Sequence, residues 1–186
     1  GLLAAVPLAF AADVAFGLLA PSSASIPYLI GPGLHLERWP LHATDLSDLG
    51  APGWTIEVPR GWAQEHQEKA DRLLFDGAVG VNVGIEVLHG GWVRKDLSEL
   101  LVWAGGDHGR PVVRRSDPAA GLIEGECAAG TDGAASLIHL RRIDAQRVLL
   151  VHFRARAEVH EAAWHGLSTR VTNSIQTVGG GISTGR

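Results

Sequence analysis

Histidine is the catalytic residue type this chain has most of, with nine copies. His139 and His152 fall on consecutive strand-like segments that a hairpin would set side by side. Two imidazoles on adjacent strands can hold a metal ion, given a third ligand. Glu124 or Glu126, on the preceding segment, would supply it. No fixed spacing motif marks the set, and a solvated strand face carrying surface histidines has the same pattern. His160 and His165 are five apart, about 500° around a helix, so they do not share a face. Serine chemistry has no G-x-S-x-G turn to work from, and Ser136 and Ser174 lie within elements rather than on strained turns. Gly77 to Asn82 lacks the lysine and following helix of a phosphate loop, and Gly179 to Gly181 follows a helix instead of opening one. The expectation is no catalytic residue, no bound cofactor and no metal.

Binding chemistry has better candidates. Six tryptophans stand against one tyrosine. They suit core edges and partner interfaces, or a stacking cleft for a small ligand. Arg141 and Arg142, with Arg154 and Arg156, would form an exposed basic patch if their strands pair in register, a docking place for an acidic partner or headgroup. Lys and Arg total 16 against 20 Asp and Glu, a net charge of −4, and the arginines are scattered, which excludes a nucleic-acid-binding footprint. The single Cys127 lies in an apolar run, reads as a buried thiol, and excludes an internal disulfide.

The elements that must position these residues begin with an apolar stretch. Gly1 to Ala20 contains one charge, Asp13, and no other polar side chain. About 20 apolar residues in a helix cross a bilayer, and a membrane helix tolerates Pro7. An uncleaved leader or a soluble core helix would look similar. Asp13 would be costly in lipid unless protein or water faces it. Ala5 and Ala12 are small enough for close helix contact. Asp13, Ala5 and Ala12 are therefore expected to face a helix of another subunit, with lipid on the other side. Residues 21–48 form a Pro- and Gly-rich connector in which Trp39 meets either the headgroup region or the globular domain.

Residues 49–178 read as the globular domain. Trp54 to Val58, Arg72 to Asp76 and Val81 to Leu88 read as strands, and Asp96 to Ala104 as a helix opened by an Asp96 cap and stopped by Gly105-Gly106. Four more strands follow: Pro111 to Arg115, Gly121 to Ala128, Ala134 to Arg142 and Arg147 to Arg156. Their short connections imply an antiparallel meander. Glu158 to Ile175 closes the domain as an amphipathic helix with Val159, Ala163, Leu167, Val171 and Ile175 on its apolar stripe and Trp164 beside it. Residues 179–186 have the composition of a flexible tail. The fold class is α+β: an antiparallel sheet of six to seven strands covered by two helices, preceded by the apolar segment.

Two motifs carry a family resemblance. Gly53-Trp54-Thr55-Ile56-Glu57-Val58-Pro59-Arg60-Gly61-Trp62 resembles the opening motif of the Mog1/PsbP-like superfamily, which includes exported lipoproteins of the LpqN and DcrB types. The closing helix runs through Trp164 into Asn173-Ser174-Ile175-Gln176-Thr177, similar to the family's final SI-x-T. The resemblance spans Ala51 to Val178. It implies a mostly non-enzymatic accessory role, often on a membrane-facing complex such as the photosynthetic oxygen-evolving apparatus, with both motifs structural. The expected function is a non-catalytic, membrane-anchored accessory subunit of a photosynthetic, respiratory or secretion complex. Its partners would be the other subunits and the bilayer, and its domain would be periplasmic or extracellular. The alternative is a free-standing exported domain that holds a small apolar or lipid ligand between sheet and helix.

Overall fold

A computed structural model of the chain describes residues 35–67, 72–77, 80–106, 109–129, 133–156, 159 and 161–178. The strands are β1 (Leu41–Asp45), β2 (Trp54–Pro59), β3 (Ala63–Gln67), β4 (Arg72–Gly77), β5 (Val81–Leu88), β6 (Val112–Asp117), β7 (Leu122–Cys127), β8 (Ala134–Asp144), β9 (Arg147–Arg156) and β10 (Gln176–Thr177). The helices are α1 (Leu97–Gly105) and α2 (Glu161–Asn173). A seven-stranded antiparallel sheet has the order β3-β4-β5-β9-β8-β7-β6, and a second sheet has the order β1-β2-β10. The α+β architecture with two helices follows the sequence reading. The apolar segment, with Asp13, Ala5 and Ala12, lies outside the described residues, as does the tail. Among the described residues no helix is long and apolar enough to cross a membrane.

Alternation along the strands divides the large sheet into two faces. On one face Leu88, Ile123, Ile138, Leu140, Val148 and Leu150 pack with Leu100 and Leu101 of α1. Helix α1 starts where the sequence places it: the Asp96 carboxylate accepts from the Ser98 N–H at 2.7 Å. The other face carries two transverse rows. Phe75, Val83, Phe153 and Leu137 are successive partners in one; Leu73, Ile85, Val151 and His139 are successive partners in the next. Helix α2 lies on this face and buries Trp164, Leu167, Ser168, Val171 and Thr172. Trp164 thus takes a central place on the stripe. The helix stops at Asn173, two residues before Ile175, and a turn at Ser174 carries Ile175 into the core at 4 % exposure.

The opening and closing motifs meet in the small sheet. Gln176 and Thr177 pair with Thr55 and Trp54. The Ser174 hydroxyl accepts from the Glu57 N–H at 2.7 Å and donates to the Val171 carbonyl at 2.6 Å. Gly53 and Gly61, at the two ends of the opening motif, have φ of 78° and 80°, a region open mainly to glycine. Residues 36–48, read as part of the Pro- and Gly-rich connector, contribute buried Leu36, Trp39 and Leu46 and strand β1, which pairs with β2 along its whole length. Strand β3 also adds to the expected set. Its residues are mostly exposed, so it carries no apolar alternation.

Candidate functional site

The two transverse rows are apolar in the middle of the sheet and turn polar at its β7 end. Leu137 pairs with Glu126, and His139 pairs with Glu124. His139 is 2 % exposed, and its Nδ1 lies 2.8 Å from Glu124 Oε1. With Nδ1–H donating, Nε2 is an acceptor without a partner. The bond to His139, opposed by burial and helped by the nearby Arg115, holds the Glu124 carboxyl below the usual glutamate value. A register shift between Val113 and Arg115 makes a bulge in β6. The two consecutive arginines then serve two carboxylates: Arg115 is the strand partner of Glu124, and Arg114 donates from Nε and Nη2 to Glu126 Oε2, both at 2.7 Å. Bulges commonly re-aim a side chain in this way.

Helix α2 roofs this end. Glu161 and His165 are one turn apart and share a face. His165 Nε2 lies 3.6 Å from Glu126 Oε1. Arg114, Glu124, Leu137, Glu161, His165, Ser168, Thr169 and Thr172 line a cleft of about 260 Å³ between α2 and the strands. Glu161 and His165 escape a search for paired histidines, because the informative spacing is Glu to His at i, i+4. Arg114 escapes as well, since a bulge leaves no trace in strand alternation.

The histidines expected to pair do not meet. Ile138 is the residue opposite His152, and Val151 is opposite His139, so the two imidazoles project from opposite faces of the sheet. The basic patch is not formed either. Arg141 is opposite Leu149 and Arg154 opposite Ser136, five residues further along β9, or about 17 Å. They also project from opposite faces. Arg141 donates to the Ile175 carbonyl at 3.1 Å and lies 6.0 Å from the Trp54 ring centroid, tying the two sheets together. Arg154 is half-buried near Gly80, Asn82 and Ala134. Trp39 is 5 % exposed, donates from its indole to the Arg60 carbonyl at 2.9 Å and meets Trp62 edge-on. It belongs to the interior and has little surface for membrane or partner. Cys127 is buried, as its apolar run implied.

Apolar surface lies at α1 and the adjoining edge strand. Val102 and Trp103 are 51 % and 42 % exposed, and Val112 and Val113 are 67 % and 53 % exposed. Trp103 stacks on Trp92 with ring centroids 4.3 Å apart. The end of α1 abuts the start of β6: a Cβ on Gly105 would lie 2.8 Å from Pro111 Cγ. Among the described residues, strand β6 is the last in the sheet. Leu100 and Leu101 of α1 and Leu167 and Val171 of α2, at 0–2 % exposure, fill the apolar core beneath the two helices.

Solved structures supply the comparison for this arrangement. The Saccharomyces cerevisiae Ran-binding protein Mog1p superposes with a TM-score of 0.53 at 12 % identity, covering 75 % of this chain and 96 % of its own. The domain has a Mog1-like fold. A point mutant of the protein Mog1 gives the same result, with a TM-score of 0.52, 12 % identity and the same two coverages. At that identity the likeness is one of fold. No family model matches the sequence, and no curated protein matches it. Within this Mog1-like domain, the motifs that carried the sequence resemblance are the ones that close the small sheet. They supply architecture, while the α2 cleft and the α1–β6 surface carry the accessible chemistry.

Proposed function

We propose that the chain is a non-catalytic accessory subunit of a larger membrane complex. Its apolar N-terminal segment anchors it, and its Mog1-like domain docks on a neighbouring subunit. The observation that carries the docking half is the exposed apolar side chains of Val102 and Trp103 on α1, together with exposed Val113, which is paired with Gly125 and so projects from the sheet face that carries α1. Large apolar side chains grouped outside the core mark interaction sites, and tryptophan is the residue type most enriched at their centres. The composition of residues 1–20 supports the anchoring half. There Asp13, with Ala5 and Ala12, would face a partner helix while lipid covers the rest. The description of the Saccharomyces cerevisiae neighbour as a Ran-binding protein supports a binding fold without indicating the partner.

The test is recovery of the full chain from detergent-solubilised membranes, with its co-purifying subunits quantified by mass spectrometry. Wild-type protein is expected to bring down a defined partner in fixed stoichiometry. Trp103→Asp, and separately Val113→Asp, should reduce that partner by ~10-fold or more with the circular dichroism unchanged, as for loss of a ~1.4 kcal/mol contact. Full retention of the partner by both folded variants would overturn the docking surface.

A further inference from the structure

We propose that Glu126, Glu161 and His165 form a divalent-metal site of the zinc type that pins the first two turns of α2 to β7. The carboxylate oxygens and the imidazole nitrogen of these residues all lie within 4.8 Å of one another. The decisive spacing is the 3.6 Å between His165 Nε2 and Glu126 Oε1. It is too long for a hydrogen bond, and the buried Nε2 has no other hydrogen-bond partner. Ligands at ~2.0–2.2 Å from a tetrahedral zinc ion stand about 3.4 Å apart, so the gap matches one edge of that polyhedron.

The surroundings fit the same reading. Glu161 and His165 project together from a helix, and Glu126 comes from a strand paired on both sides, so all three stand on rigid elements. Arg114 holds Glu126 by Oε2, leaving Oε1 to face His165. Such a partner orients a ligating carboxylate. One imidazole nitrogen with two carboxylate oxygens is a donor set suited to zinc, whereas calcium and magnesium favour all-oxygen shells. Three protein ligands leave a fourth position for water or for a donor from a docked protein. This site is independent of the docking surface on α1 and β6, which lies on other residues.

Chelator-stripped full-length protein, kept in detergent, is titrated with zinc by calorimetry. The expected result is one equivalent bound. His165→Ala and Glu161→Gln should each weaken that binding by ~10-fold or more, while His152→Ala, on the opposite face, should leave it unchanged. Glu161 is exposed at the helix start, so its variant removes a ligand without touching the core. Absence of a stoichiometric binding event, or binding unchanged in a folded Glu161→Gln variant, would overturn the site.

Discussion

Arginine side chains do much of the long-range work in this fold, and they do it through backbone carbonyls. Arg170 Nη1 donates to the Glu37 carbonyl at 2.9 Å and to the Trp39 carbonyl at 2.8 Å, fastening the segment before β1 to α2. Arg142 donates to the Val93 and Lys95 carbonyls, and Arg147 to the Gly50 carbonyl. A carbonyl at a loop or turn needs a donor when it is partly buried, and a guanidinium can serve several at once. Arg170→Ala is expected to destabilise the domain by about 1.5–3 kcal/mol, measured by urea unfolding, because two partly buried acceptors lose a charged donor. Arg170→Lys should recover only part of that loss. The positions of these arginines are plain in the sequence, but their partners are not. Glu37 and Trp39 are more than 130 residues from Arg170. The same limit explains the misplaced basic patch. Arg141 and Arg154 look equivalent along the chain, and only the β8–β9 register shows that they project from opposite faces.

At the scale of elements, legibility followed burial. Strands β5 and β7 show alternation, and β8 and β9 show continuous apolar runs buried on both faces, because their residues meet a core; helix α1 announces its start with Asp96 and its end with glycine. Strand β3 is exposed, β10 is two residues long, and β1 is short, follows Pro40 and is only partly buried, so none has a periodic signal to find. The cleft under α2 was legible in part. The sequence offers Glu124 or Glu126 as a third metal ligand beside His139 and His152; in the structure Glu124 hydrogen-bonds to His139 while His152 projects from the opposite face, and His165 and Glu161 come from an element whose docking no local pattern encodes. Helix α2 is held by its buried stripe, with Leu167 and Val171 both at 0 % exposure. Leu167→Ala is expected to cost ~2–4 kcal/mol and Val171→Ala ~1–3 kcal/mol in thermal or urea unfolding. Near-neutral values for both would mean that the helix is not fastened to the sheet by these side chains.

For the whole molecule, the division of labour runs from buried to accessible. The two signature motifs join an early and a late segment of the domain in the small sheet, through Ser174 and the β2–β10 pairing. The large sheet has one helix on each face, which uses up its apolar area except at the α1–β6 margin. In the proposed function, a neighbouring subunit docks at that margin and the apolar residues 1–20 serve as the membrane anchor. The most direct test compares the full chain with a chain beginning at Pro21 in alkaline-washed membranes. The full chain is expected to stay with the membrane until detergent is added. The shortened chain should appear in the soluble fraction with the same unfolding midpoint as the detergent-solubilised full chain. Release of the full chain by the alkaline wash, or an unfolded shortened chain, would contradict a folded domain held at a membrane by its first twenty residues.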